Sequence, residues 1–140
     1  MSPQGWQLPP DSWKEAVIKG PGTFAQEVMG ESFYDDNLRE IMNDNGINSI
    51  GPHPVGLAFL FPEPLNKFDP KAIAVVIDRK QVGHIPKDDT AFYHAVLKQL
   101  GDSGQYPLVE AQLYLGSSDR IGISLDFDVA EKAKFFQEGS

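Results

Sequence analysis

The chain has no cysteine. That one absence excludes disulfides, thiolate nucleophiles and cysteine-ligated zinc, and it fits a reducing, cytoplasmic setting. Long apolar runs are missing as well. No stretch approaches the roughly 20 consecutive apolar residues that a membrane span needs. The opening MSPQGWQLPPDSWKEAVIKG has no basic start followed by an apolar segment, so no secretory signal is expected either. Bases are scarce: 12 Lys and Arg stand against 20 Asp and Glu, for a net charge of -8. Such a balance argues against nonspecific coating of a nucleic-acid backbone. His53, His84 and His94 fall in no HxH or HExxH spacing, so no metal is expected. The phosphate-cradling G-x-x-x-x-G-K-S/T and the G-x-S-x-G of serine hydrolases do not occur, and no cofactor is expected.

What is present is a normal globular balance. The 140 residues are 41% apolar and 23% charged, enough for one domain with a single core. Charge is unevenly spread: residues 61–100 carry six bases against five acids, half of all the Lys and Arg in the chain. Residues 1–23, rich in Pro and Gly, read as an N-terminal arm pinned by Trp6 and Trp13, with a short helical turn through WKEAVI capped by Asp11 or Ser12. Strands are expected at 24–30, 55–61, 72–78, 81–85, 107–116 and 121–129. A helix is expected over 34–46, with Leu38, Ile41 and Met42 on one face and Gly46 as its stop. A second follows Pro86, with Phe92, Val96 and Leu100 in a stripe. Residues 129–140 read as a tail or short helix. The order is strand, helix, three strands, helix, two strands. It points to a mostly-β fold with α insertions: a small antiparallel barrel of about six strands and two helices.

Two kinds of chemistry compete within this frame. Asp78-Arg79-Lys80 is a D-x-K pattern at a strand end, and with Asp69 upstream it suggests a magnesium-dependent nuclease. The same three residues also make an ordinary polar hairpin tip. Asp126 and Asp128 share one strand face and read as a solvated edge. The aromatics Phe33, Tyr34 and Phe68 either join the core or stand exposed near basic residues, where they would stack on unpaired bases.

Three motifs in sequence order narrow the choice. Val28, Gly30 and Tyr34 form V-x-G-x-x-x-Y; Glu63 to Val75 reads E-P-x-N-x-F-D-P-x-A-I-A-V; Gln81 to Pro86 reads Q-V-G-H-I-P. Together, over about residues 24–128, they resemble the HIRAN domain family. The resemblance implies an OB-like barrel that is a binding module and not an enzyme. It implies recognition of single-stranded DNA at a 3′ end with a free hydroxyl, in DNA repair or replication-fork processing, beside helicase or nuclease proteins. It further implies that Asp69 accepts a hydrogen bond from the terminal hydroxyl and that Phe33 and Phe68 stack on the last bases. Tyr34, Lys71, His84 and Lys87 would then meet base or phosphate. The chain departs from the family at Lys67-Phe68, where Pro-Tyr is common, and at Ser32, where some DNA-binding members carry Arg. A protein-interaction module on the same fold is the alternative expectation.

Overall fold

The computed structural model describes residues 4–127. The elements run β1 (Lys14–Ile18), β2 (Gln26–Glu27), α1 (Asp35–Asp44), β3 (Gly51–Pro62), β4 (Ile73–Ile77), β5 (Lys80–His84), α2 (Thr90–Gly101), β6 (Gln105–Leu115) and β7 (Ile121–Leu125). Short 3-10 turns at Glu31–Tyr34 and Lys87–Asp89 lead into the two helices. One sheet holds every strand, in the order β2-β7-β6-β3-β4-β5, with β1 also on β6. Its two ends meet. Met29, just past β2, donates its N–H to the His84 carbonyl at 2.8 Å, and the His84 N–H returns the bond at 2.9 Å. The sheet thus curls into a partly closed, OB-like antiparallel barrel whose seam lies between Met29 and His84.

β4 is buried along its whole length. On one side Ile73, Val75 and Ile77 enter the main core with Val82, Val96, Leu113 and Leu125. On the other side Ala74 and Val76 pack with Trp6 and Phe61 in a second, smaller cluster. A strand covered on both faces reads as a continuous apolar run, which accounts for AIAVVI in an otherwise alternating sheet. The Trp6 ring stacks on Phe61 at 5.6 Å, and the Gln7 N–H donates to the Pro62 carbonyl at 2.7 Å. The N-terminal segment is therefore the outer cover of β4.

Several expectations need correction. WKEAVI is a strand, not a helical turn: Lys14 to Ile18 pair in parallel with Gln105 to Val109. β7 pairs with β6 only over residues 111–115, so the edge of 105–109 would otherwise be bare. Backbone groups left there need partners, and β1 supplies them. β3 begins at Gly51, four residues earlier than expected, and runs through Pro52 and Pro54. In that half it pairs only with β6, because β4 does not begin to pair until Ala58, so a missing N–H breaks no ladder on the open side. Asp126 is not a solvated edge residue. It is buried, and its Oδ1 accepts from the Gly22 and Phe24 N–H groups at 2.8 and 3.3 Å, tying the 20–24 loop to the end of β7. Asp128 and the tail or short helix expected over 129–140 lie outside the described residues.

The helices follow their patterns. α1 buries Leu38 and Ile41 and ends in a left-handed Gly46, with the Gly46 N–H bonded to the Asn43 carbonyl and the Ile47 N–H to the Met42 carbonyl. α2 buries Phe92 and Val96 and also Tyr93, whose hydroxyl donates to Gln26 Oε1 at 3.0 Å. No helix among the described residues is long and apolar enough to cross a membrane.

Candidate nucleic-acid interface

The cleft beside the barrel seam is built from three short pieces of chain. The first is the 3-10 turn after Met29. Gly30 takes a left-handed φ of 76° and accepts a bond from the Phe33 N–H at 3.1 Å, turning the chain sharply out of the seam. Glu31 anchors this turn to the barrel, its Oε2 accepting the Ile123 N–H at 2.5 Å. Burial raises the Glu31 carboxyl above its ordinary value; the Ile123 bond opposes this and the nearby Glu27 charge adds to it. Phe33 is left pointing into solvent, 88% exposed.

The second piece is the loop between β3 and β4. The Glu63 N–H donates to the Ala72 carbonyl at 2.9 Å, and the Ala72 N–H to the Asp69 carbonyl at 3.0 Å. Asn66 Oδ1 accepts both the Phe68 and Asp69 N–H groups, at 2.9 and 3.1 Å. Asp69 Oδ1 accepts the Lys71 N–H at 3.0 Å. These side-chain-to-backbone bonds hold the tip without a regular turn. Phe68 emerges from it 98% exposed. Among the described residues nothing meets the second oxygen of Asp69, which remains an open acceptor.

The third piece is the end of β5. Gly83 lets the strand pass close to the seam: a Cβ there would sit 2.5 Å from both the Met29 carbonyl oxygen and Val28 Cγ1. His84 follows, its Nε2 bonded to the Glu63 carboxylate and its ring 6.2 Å from that of Tyr34. A carboxylate only accepts, so this bond keeps the ring hydrogen on Nε2. Burial first, and the Glu63 charge second, push the Tyr34 hydroxyl above its ordinary range, so it stays protonated at neutral pH and can donate.

The resulting cleft has a volume of about 360 Å³ and is lined by Met29, Gly30, Phe33, Tyr34, Asn66, Phe68, Asp69, Ala72, His84, Ile85 and Lys87. Six of the seven residues singled out in the sequence therefore share one cleft. The seventh, Lys71, is exposed next to it, held by its N–H to Asp69 and by its carbonyl, which accepts from His94 Nε2 at 2.9 Å. Lys67, Lys71 and Lys87 make no ion pair among the described residues, whereas Arg39, Lys80 and Lys98 are each matched with acids. Met29, Gly30 and Asn66 also line the cleft. Asn66 could have been found from its place in E-P-x-N-x-F-D-P, but nothing local in the sequence marks Met29. The D-x-K residues sit elsewhere. Asp78 and Arg79 form the tip of the β4–β5 hairpin with positive φ, and Lys80 reaches Asp78, Glu40 and Asp44.

Fold and cleft define a small OB-like barrel that presents two exposed phenyl rings around a recessed carboxylate. No family model matches the chain, and no curated protein does. Among solved structures it is similar to the crystal structure of the HIRAN domain of human HLTF, at 16% identity over 81% of this chain and 82% of that one, with a TM-score of 0.36. The overlay is too loose to transfer a residue's role, so the cleft stands on this chain's own chemistry.

Proposed function

We propose that the cleft receives the 3′ end of single-stranded DNA and that the protein is a binding module. The observation that carries this reading is the pairing of Phe33 and Phe68, both almost wholly exposed, with a half-buried carboxylate that keeps one oxygen open. Exposed phenyl rings offer a face to any base and read no sequence. Asp69 repels a phosphate and accepts a hydroxyl, so it prefers a free end to an internal linkage. Lys67, Lys71 and Lys87 supply positive charge for the phosphates just behind that end. Tyr34 adds a donor to the cleft, and His84, its Nε2 hydrogen held by Glu63, keeps Nδ1 as an acceptor. A setting in DNA repair or fork processing, beside helicase or nuclease partners, follows from the family resemblance and is part of the proposal.

A protein partner is the second reading. Met29 is half exposed in the same cleft as the two phenylalanines, and together they make an apolar patch that a peptide would bury. The test is a titration at low salt with labelled oligonucleotides ending in a 3′ hydroxyl, a 3′ phosphate or a duplex. Preference for the single-stranded hydroxyl end supports DNA-end capture. Absence of binding to all three overturns it in favour of the protein partner.

A further inference from the structure

We propose that Glu63 is a positioning residue that sets both walls of the cleft from behind, without touching the ligand. The inference rests on the 3′-end reading and says what holds that site in shape. Glu63 is buried and does not line the cleft. Its backbone is pinned on both sides, the N–H to the Ala72 carbonyl at 2.9 Å and the carbonyl to the Asn66 N–H at 3.0 Å. One of its carboxylate oxygens then serves two walls. Oε1 accepts from His84 Nε2 at the end of β5, and it lies 3.5 Å from Asn66 Nδ2. Asn66 in turn holds the Phe68 and Asp69 N–H groups. The ring of one wall and the loop tip of the other are therefore referred to a single buried atom.

A buried carboxylate is costly unless donors meet it. Here two donors converge, and packing against the apolar body would be served equally well by a leucine. Beside it, Gln81 ties the same strand to the N-terminal segment: its Oε1 accepts from Trp6 Nε1 at 3.0 Å and its Nε2 donates to the Gly83 carbonyl at 3.3 Å. The strand end that carries His84 is thereby linked to the N-terminal cover of β4.

Two substitutions and one spectroscopic signature test this. Glu63→Leu keeps the volume and removes the acceptor; Glu63→Gln keeps an amide oxygen that can still accept from both donors. In the wild-type protein, ring 15N shifts should show the His84 hydrogen on Nε2. Glu63→Leu should give mixed tautomers, shifted Phe68 and Asp69 amides, and affinity for a 3′-hydroxyl oligonucleotide weaker by about tenfold or more. Glu63→Gln should stay near wild type in all three. A wild-type ring with its hydrogen on Nδ1 overturns the proposal, and so does a folded Glu63→Leu that binds within about twofold of wild type. Should Glu63→Leu fail to fold, the ring signature in wild type and Glu63→Gln decides alone. If wild type binds no oligonucleotide while the tautomer and loop amides respond as stated, the end-capture reading falls and the positioning role stands.

Discussion

Removing the Phe68 ring separates function from stability in one step. The side chain is 98% exposed, so Phe68→Ala uncovers no core and leaves no cavity. Its effect on folding should stay within about 0.5 kcal/mol, the range of ordinary surface changes. A stacked base, by contrast, contributes roughly 1–3 kcal/mol, which corresponds to about a 5- to 150-fold loss of affinity. Phe68→Leu keeps apolar bulk without a π face and should lose most of the same amount. Phe33→Ala, at 88% exposure, should behave alike. If the two rings clamp one base, the double substitution costs less than the sum of the singles; if each holds its own base, the losses add. The control is Phe92→Ala, where the ring is 8% exposed and packs on Tyr93 and Phe127. That change should cost about 3–5 kcal/mol of stability through cavity formation. The assay is fluorescence anisotropy with a labelled 3′-hydroxyl oligonucleotide, beside thermal melts of each variant. Unchanged affinity in a folded Phe68→Ala would refute the stacking argument.

Three further outcomes probe the frame around the cleft. Gly83→Ala forces a methyl against the Met29 carbonyl and Val28; it should destabilise by about 1–3 kcal/mol and speed amide exchange at Met29 and His84. Trp6→Ala removes the stacked, buried cover of β4 and its bond to Gln81, and should cost about 3–5 kcal/mol in chemical denaturation. Burial raises the Glu31 carboxyl above 4.5, so the folded state holds that proton longer than the unfolded chain. Glu31's contribution to stability is thus fully present below pH 4.5 and is lost as pH rises through the folded value. Melting temperatures measured across that window should fall less steeply with rising pH in Glu31→Gln than in wild type.

How much of this was legible in the chain depends on where each element finds its partner. α1, α2 and the β4–β5 hairpin carry their periodicity and their stops locally, in Leu38 and Ile41, in Gly46, in Asp78-Arg79. β1 does not. KEAVI is short enough to suit a helical turn, and what makes it a strand is the bare edge of β6 some 90 residues away. Pro52 and Pro54 argue against a strand until it is known that β3 has one neighbour there. AIAVVI announced a strand covered on both faces, but that Trp6 is the outer cover is a tertiary fact. The site divides in the same way. EPLNKFDP marks its loop through Asn66 and Asp69, residues whose side chains bond nearby backbone. The exposure of Phe33 and Phe68 could not be read, since an aromatic's burial depends on what packs beside it. The seam between Met29 and His84, which brings the first and last motifs together, exists only once the barrel has closed.

The central claim is that the open oxygen of Asp69 selects a terminal hydroxyl, and the most direct measurement is a ratio. Affinities for a 3′-hydroxyl and a 3′-phosphate oligonucleotide are compared in wild type and in Asp69→Asn. The asparagine can still accept the Lys71 N–H, so the loop tip keeps its bond while the charge is gone. Wild type should prefer the hydroxyl end by about tenfold or more, and the preference should shrink toward unity in Asp69→Asn, mainly because the phosphate is no longer repelled. Equal binding of the two ends by wild type, or a preference that survives intact in Asp69→Asn, would contradict the account.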